Sequence, residues 1–455
     1  MFSFRQAVIQ KVANVKAVNL KSLSQNIMVI LVIVATSGCS FVNKIRMRNA
    51  NDDLVAEWRN SAQEVELRST YIGEKPYIYA SINGVPGFKF LVDTGASITI
   101  LQDTPKIKAL KLEPGYELQL SGWGDEESSP AYQTSADEFE FDGIRFKNIN
   151  FAYLPISTSK YFFRPDEAIY DGVIGHDVLR HFTWKFDKKE DTITVFNGPY
   201  NPKEEHISMP FDIWFSKLEI QGEMLFKSGQ KVTHELIIDT GSRNYLKINS
   251  LYLENNEIDI SQPTIKAADF GLNGRALHQR FSLPRLTLGN LALESAASEK
   301  LEVNHIKTNI IRTDDEDDLW VIGSALLNKY VSVVDYHSNR LYLKPYEDIR
   351  FHSRFNLLGL ELRKIRSGEF VVRYVLPDMA AAAGDFQVGD IVTSINGKNT
   401  ADMSSDDWLA TSASPGRYEV CLKRENSTSV KMGEATESCQ LVVSKHIVGY
   451  SVPSI

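Results

Sequence analysis

The stretch Phe88-Lys89-Phe90-Leu91-Val92-Asp93-Thr94-Gly95-Ala96-Ser97 decides the fold, because it recurs as His234-Glu235-Leu236-Ile237-Ile238-Asp239-Thr240-Gly241-Ser242-Arg243. In both copies, Asp-Thr-Gly follows a short apolar run that is rich in residues favouring β structure. Such a run predicts a strand, and the Asp-Thr-Gly after it predicts a tight turn. The chain therefore contains an internal repeat, which has to be interpreted before any single motif.

A second pair of motifs recurs in phase with the first. Residues 171–175 (Asp-Gly-Val-Ile-Gly) end 82 positions after Asp93 (175 minus 93), and residues 319–323 (Leu-Trp-Val-Ile-Gly) end 84 positions after Asp239 (323 minus 239). Each is followed by a predicted short helix and two predicted strands: 177–182, 183–187 and 192–196, then 324–330, 332–336 and 340–344. Two matched anchors at nearly equal spacing indicate two copies of one lobe, which we place at residues 67–200 and 201–348.

These motifs resemble the pepsin and retropepsin superfamily of aspartic proteases. The resemblance implies a mostly β fold in which two double-ψ barrels form a bilobal protease. In that family each Asp-Thr-Gly loop packs beside a later apolar-Gly segment, matched here by Ile174-Gly175 and Ile322-Gly323. Because both copies lie in one chain, the resemblance implies a monomer with one site. The alternative, in which each lobe pairs with its copy in a second molecule, stays open.

The resemblance assigns peptide-bond hydrolysis to Asp93 and Asp239. One carboxylate would activate a water while the other, protonated, polarises the carbonyl. Two like charges a few ångströms apart cannot both ionise, so one pKa of the pair is raised. Four further loop residues would support the pair, by close approach of the backbone or by hydrogen bonds across the two-fold axis: Gly95, Gly241, Thr94 and Thr240. The alternative is that Asp-Thr-Gly only makes a tight turn.

The two copies differ where Ser97 of the first is matched by Arg243 of the second. A guanidinium beside the pair would lower carboxylate pKa values or restrict substrate, unless it points to solvent. The presence of both aspartates favours an endopeptidase. The alternative function is a non-catalytic envelope scaffold that keeps the lobes as a peptide clamp.

A glycine-rich stretch lies where the family places the β-hairpin flap that covers its site. It includes Gly122, Trp123 and Gly124, in which the glycines would allow movement and the indole would exclude water from bound substrate. The alternative is an ordinary hairpin with Trp123 packed inward. Residues 270–275 have a similar composition and predict a second flap.

Residues 349–455 resemble a PDZ domain of the kind found in bacterial envelope proteases, most closely at Val388-Gly389-Asp390-Ile391-Val392. The resemblance makes Leu358, Gly359 and Leu360 the loop that binds the terminal carboxylate of a peptide, which would add to a sheet edge. Residues 404–412 predict the helix beside that groove, with Ser404 and Asp407 as its cap. The alternative is a small β domain that only packs against the protease.

The N-terminus has the order of a secretory signal, with basic residues before an apolar run and then small residues, so we assign residues 1–38 to a signal peptide. Gly38-Cys39-Ser40 resembles a bacterial lipobox, which would make Cys39 the lipidated N-terminus and residues 39–66 a tether to the membrane. We expect a periplasm-facing lipoprotein of the cell envelope, with the outer membrane favoured. The alternative is plain secretion.

The cysteines, the net charge and the histidines limit which bonds, ligands and binding partners can be expected. Cys421 and Cys439 would form a disulfide in an oxidising compartment, or would stay as reduced core thiols. A formal net charge of -8 provides no basic surface for nucleic acid. The nine histidines and three cysteines show no ligand cluster, so we expect no metal and no cofactor. The expected partners are protein or peptide substrates and peptide C-termini.

Overall fold

The computed structural model describes residues 42–59, 62–122, 124, 127–155, 168–203, 205–291, 296–318, 320–347, 349, 355–424 and 436–445. The predicted signal peptide, Cys39 and Trp123 lie outside these described residues. From Met47 onward the chain forms one compact unit. Strands dominate it, which confirms the predicted mostly β fold with two barrel-like lobes followed by a further β domain, the one predicted to be a PDZ domain.

The first lobe is built on a nine-stranded sheet. With strands numbered in chain order, it contains β1 (Glu57–Trp58), β3 (Ser69–Ile72), β4 (Lys75–Ile82), β5 (Val85–Val92), β6 (Ile100–Gln102), β7 (Glu117–Leu120), β8 (Ser129–Phe141), β9 (Ile144–Leu154) and β10 (Gly172–Ile174). The apolar end of β5 is buried, and the strand stops directly before Asp93. It lies parallel to β10, with Val92 opposite Ile174. This pairing brings the later apolar-Gly segment beside the first Asp-Thr-Gly turn.

The second lobe repeats this arrangement in an eight-stranded sheet. Its strands are β14 (Asp212–Trp214), β15 (Lys217–Leu225), β16 (Lys231–Asp239), β17 (Leu246–Asn249), β18 (Ile265–Gly271), β19 (Gly274–Gly289), β20 (Lys300–Ile311) and β21 (Val321–Gly323). Strand β16 lies parallel to β21, with Ile238 opposite Ile322. The repeat seen in the sequence is therefore a repeat of strand pairing.

A six-stranded sheet joins the two lobes. It is formed by β2 (Glu64–Leu67), β11 (Thr183–Asp187), β12 (Thr192–Phe196), β13 (Ile207–Pro210), β22 (Tyr330–Asp335) and β23 (Arg340–Pro345). The junction is the antiparallel pair of β11 and β22, in which Thr183 lies opposite Asp335. One apolar cluster runs through both lobes, so they share a core.

Strand β2 corrects one prediction. Residues 39–66 were assigned to a tether, but β1 and most of β2 lie within that segment. Strand β2 pairs with β12, and β1 pairs with β9. The physical reason is the alternation in Glu64-Val65-Glu66-Leu67, which buries Leu67 on one face of the central sheet.

Short helices follow several of the strand ends in the described part of the chain. They include α1 (Pro105–Ala109), α2 (His176–Leu179), α3 (Ser250–Asn255), α4 (Ser324–Leu327) and α5 (Ser405–Ser412). Residues 42–49, before β1, are also helical. Helices α2 and α4 start directly after Gly175 and Gly323, where the repeat predicts them. Both end three residues before the predicted ends, because the chain turns there into the central sheet.

The PDZ domain has its own apolar cluster and its own sheet. The strands are β24 (Leu360–Lys364), β25 (Phe370–Val375), β26 (Ile391–Ile395), β27 (Lys398–Asn399), β28 (Gly416–Arg424) and β29 (Thr436–Ser444). Helix α5 begins with the predicted cap, in which Ser404 and Asp407 each bond the other's backbone N–H. Cys421 and Cys439 lie opposite one another on β28 and β29 and form a disulfide.

Candidate active site

The two Asp-Thr-Gly turns bring Asp93 and Asp239 together. Their carboxyl groups are close enough for the charge of Asp239 to raise the pKa of Asp93. Each turn's glycine faces the aspartate of the other lobe: a Cβ on Gly241 would lie 2.2 Å from the Cγ of Asp93, and one on Gly95 would lie 2.6 Å from the Cγ of Asp239. Any side chain at either glycine would therefore displace the opposite carboxyl group.

Reciprocal threonine hydrogen bonds fix the two turns to each other. The Oγ1 of Thr94 donates to the carbonyl of Ile238 at 2.7 Å and accepts from the N–H of Thr240 at 3.0 Å. The Oγ1 of Thr240 donates to the carbonyl of Val92 at 2.7 Å and accepts from the N–H of Thr94 at 3.1 Å. Both threonines are buried. These four bonds hold the lobes in register at the aspartates.

Backbone amides orient each carboxylate from within its own turn. Gly95 N–H donates to Asp93 Oδ1 at 2.8 Å, and Ser242 N–H donates to Asp239 Oδ1 at 2.9 Å. The apolar-Gly segments support the turns from behind, since a Cβ on Gly323 would lie 2.2 Å from the carbonyl oxygen of Asn244. Such close backbone packing requires glycine.

The ionisation of Asp93 depends on burial and on the nearby charges. Desolvation, and then the charge of Asp239, raise the pKa of Asp93 to about 7, while Lys75 and Lys217 act in the opposite direction. Lys217 also donates from Nζ to the carbonyl of Gly95, so a cation of the second lobe holds the first Asp-Thr-Gly turn. Burial and the charge of Asp239 thus favour the protonated form of Asp93, while the two lysines limit the rise in its pKa.

Arg243 does not simply point to solvent. Its Nε lies 3.6 Å from Oδ1 of Asp269, and its Nη2 lies 3.5 Å from Oε2 of Glu361 in the PDZ domain. Its side chain is 37% exposed, whereas the Asp269 side chain is 4% exposed. Arg243, the residue at which the two turns differ, is therefore paired with one carboxylate of its own lobe and one of the PDZ domain.

The predicted flap regions form two hairpins whose tips meet. One hairpin is β7–β8, with Gly122 and Gly124 in its tip, and the other is β18–β19. Asn273, at the tip of β18–β19, accepts from the N–H of Gly122 and donates to the carbonyl of Glu127 at 2.6 Å. Gly124 has a φ of +144°, and a Cβ there would lie 2.0 Å from the Asn273 carbonyl oxygen. Asn273 therefore joins the two tips.

The predicted carboxylate-binding loop of the PDZ domain is engaged internally. The N–H of Leu358 donates to the carbonyl of Ser412 at 3.2 Å, and the N–H of Gly359 donates to Oδ1 of Asn356 at 2.8 Å. Leu358 and Leu360 are buried in the domain core. A peptide carboxylate at this loop would have to replace those two acceptors. Strand β24 pairs on one side only among the described strands, which leaves an edge for peptide addition.

The described residues include neither a metal-binding cluster nor a membrane-spanning helix. No group of three or more His, Cys, Asp or Glu side chains there is arranged to hold a metal ion. Within the same part of the chain, no helix is long and apolar enough to cross a membrane.

Sequence reasoning missed Lys75, Lys217, Asn273 and Glu361. The two lysines could have been found by extending the repeat upstream, because each is the first residue after the turn of a hairpin, β3–β4 or β14–β15. Asn273 and Glu361 carry no local signal, since their contacts join segments that are far apart in sequence.

Comparison with known proteins agrees with the geometry. Residues 78–178 match the family described as aspartyl protease, and residues 349–424 match the PDZ domain family. A search of curated proteins gives no significant match. The first match covers the first turn and its apolar-Gly partner, and the second covers strands β24 to β28 of the sheet that holds Glu361. The chain thus contains an aspartyl protease domain and, C-terminal to it, a PDZ domain.

Proposed function

We propose that the protein is an aspartic endopeptidase that hydrolyses peptide bonds at Asp93 and Asp239. The observation that carries the proposal is the reciprocal contact of the two turns, in which threonines and glycines of each lobe fix the aspartate of the other. A scaffold that only clamps peptides would need the lobes to stay together. It would not need two buried carboxyl groups side by side, where the repulsion of their charges is costly.

In the proposed reaction, a water lies between the two carboxyl groups. The ionised carboxylate takes a proton from the water as the oxygen attacks the peptide carbonyl, and the protonated carboxyl donates its hydrogen to the carbonyl oxygen. The tetrahedral gem-diol then collapses as the carboxyl group that took the water's proton donates it to the amide nitrogen and the C–N bond breaks. A gem-diol hydroxyl returns its proton to the other carboxylate, which leaves a carboxylic acid product and restores the monoprotonated pair. The amides of Gly95 and Ser242 keep one oxygen of each carboxylate fixed during these transfers.

The PDZ domain is proposed to bind peptide tails of a substrate or a regulator. The unpaired edge of β24 supports this role, because an extended peptide can add there as a further strand. Fluorescence anisotropy with peptides that end in a free or an amidated carboxyl group tests it. Equal binding of both forms would exclude carboxylate recognition at Leu358 and Gly359.

We also propose that the protein is a monomeric lipoprotein of the cell envelope, attached through Cys39. The order of basic, apolar and small residues before that cysteine supports the proposal. Labelling of cells with a fatty-acid analogue, for the wild type and Cys39→Ser, tests it. Label on both proteins, or on neither, would contradict lipidation at Cys39.

The proposed activity is tested by cleavage of a denatured protein mixture between about pH 3 and 8, the range in which a carboxyl pair titrates. The variants are Asp93→Asn and Asp239→Asn, and the matched control is Asp137→Asn, an exposed aspartate on β8. We expect cleavage by the wild type and the control, and none by the two site variants. Cleavage that persists in either site variant would contradict the mechanism.

A further inference from the structure

We propose that Glu361 of the PDZ domain is a positioning residue for the second catalytic turn. The proposal rests on the proposed function, because it concerns the same aspartate pair. Arg243 lies four residues after Asp239 (243 minus 239) and is the point where the two turns differ. Glu361 binds it from a different domain, so the PDZ domain supplies part of the site.

The carboxylate of Glu361 lies between two arginines of the second lobe. Its Oε1 is 3.2 Å from Nη1 of Arg280, and its Oε2 is 3.5 Å from Nη2 of Arg243. The Arg280 and Glu361 side chains are 9% and 10% exposed, so this pair is shielded from solvent. A buried carboxylate that is paired with two cations cannot move without leaving one of them unpaired. The position of Glu361 therefore fixes the position of the Arg243 guanidinium.

Cations of the second lobe outnumber its carboxylates around Arg243. Asp269 is buried, and Lys247 and Arg243 hold its pKa well below the usual range despite its burial. Burial lowers the pKa of Lys247, and it lowers that of Lys307 to about 8. The charged and titratable groups around Arg243 and Glu361 are Asp269, Asp239, Asp93, Glu74, Lys75, Lys247, Arg280, His278, Lys307, Tyr77, Tyr170, Arg363 and Arg373. The second lobe contributes the carboxylates Asp269 and Asp239 to this set, and Glu361 adds one from the PDZ domain.

Further contacts hold the PDZ domain on the β18–β19 hairpin and so keep Glu361 in place. The guanidinium of Arg373 lies 3.5 Å from the centre of the Phe270 ring, a cation–π contact. An apolar cluster joins Ile265 of the hairpin to Phe355 and Leu357. The same hairpin carries Asn273 at its tip, so the domain that places Arg243 also supports the joined flap tips.

Loss of the Glu361 charge should lower the pKa of the aspartate pair. Arg243 would keep Asp269 as its partner, but one negative charge near the pair would be gone. The net field on the aspartates becomes more positive, which favours their ionised form and lowers the pKa of the shared proton. The alkaline limb of the pH–rate profile, where that proton is lost, then moves to lower pH.

The test compares Glu361→Gln with the wild type in the full chain. The matched control is Glu419→Gln, an exposed carboxylate of the same domain. We expect Glu361→Gln to lose about tenfold in kcat/KM, mostly in kcat, as displaced catalytic groups do. We also expect its alkaline limb to move down in pH, with the control unchanged. A Glu361→Gln enzyme with wild-type kcat and wild-type pH profile would overturn the proposal.

A second variant separates positioning from folding. Glu361→Gln with Arg280→Met removes the cation that Glu361→Gln leaves unpaired in the interior, so thermal stability should recover. The low kcat should persist, because Arg243 still lacks its partner. The alkaline limb should move back towards the wild-type pH, because loss of the adjacent Arg280 cation offsets loss of the Glu361 charge. If stability and kcat both return to wild-type values, Glu361 is only structural.

A stability measurement, which needs no catalytic activity, distinguishes the positioning role of Glu361 from the endopeptidase proposal. The pH dependence of the stability difference between the wild type and Asp93→Asn reports the pKa of the pair. In the Glu361→Gln background, the pH at which that difference changes should fall. If it does not, the positioning proposal fails even in an active enzyme. If it falls in a protein that cleaves nothing, the positioning holds and the endopeptidase proposal fails.

Discussion

Substitution of Thr94 by valine tests whether the reciprocal hydrogen bonds hold the two lobes together. Valine has nearly the same shape but no hydroxyl, so Thr94→Val leaves the carbonyl of Ile238 and the N–H of Thr240 without their partner. Thr94 is 0% exposed, so water does not replace it readily. Each unsatisfied buried group costs about 1–3 kcal/mol. The expected loss of unfolding free energy is therefore about 2–6 kcal/mol, a large part of the stability of an ordinary domain.

The assay is urea denaturation followed by tryptophan fluorescence, together with peptide cleavage. Thr94→Ser keeps the hydroxyl and should retain most of both properties. Thr233→Val, on the exposed side of β16, is the matched control and should change stability little. In Thr94→Val we expect kcat to fall more than KM rises, because the carboxyl groups lose their mutual orientation.

The double variant Thr94→Val with Thr240→Val sharpens the test. The two hydroxyl groups hold the same pair of turns, so once one is lost the second should contribute less. We expect a combined loss smaller than the sum of the single losses. The reasoning is refuted if Thr94→Val lowers the unfolding free energy by less than about 1 kcal/mol, or if the two losses add fully.

Three more predictions concern the pKa of Asp93, the joined hairpin tips and the disulfide. The pKa of Asp93 is raised from 3.8 to about 7, so between these pH values the folded state binds a proton that the unfolded state does not, and the free energy of unfolding should fall as pH rises. Thermal denaturation should show a smaller fall in Asp93→Asn than in the wild type. An equal fall in both proteins would contradict the prediction. Asn273→Ala should separate the hairpin tips and raise KM several-fold, with faster amide exchange at Gly122 as the independent readout. Reduction of Cys421–Cys439, which closes a separation of 18 residues, should lower the unfolding free energy by about 3 kcal/mol, and Cys421→Ser should abolish the effect of reductant.

The local elements could be predicted because their causes are local. The strands 183–187 and 192–196 were predicted with the bounds that the structure gives, since alternating apolar residues bury one face of each strand. The cap of α5 was predicted from Ser404 and Asp407, whose contact spans a single turn. The strands of the second half, β22 and β23, were predicted to within two residues at each end.

The contacts that complete the site could not be predicted in this way. Asn273 meets Gly122 across 151 residues, and Arg280 meets Glu361 across 81. A polar residue in a hairpin turn and a glutamate in an edge strand are ordinary in sequence, because both positions are usually solvated. Only the packing of one hairpin tip on another, and of one domain on another, gives these side chains a partner.

The symmetry of the two lobes connects these observations. The parts that act directly on the aspartates are duplicated: a threonine, a glycine and a supporting apolar-Gly segment occur in each lobe, and Lys75 is matched by Lys217. The duplication fails at Ser97 and Arg243, and at that point the second lobe meets the PDZ domain through Glu361. Arg243 therefore brings a cation that Ser97 does not, and part of the compensating negative charge comes from outside the two lobes. The asymmetric residue and the additional domain are thus two parts of one electrostatic arrangement.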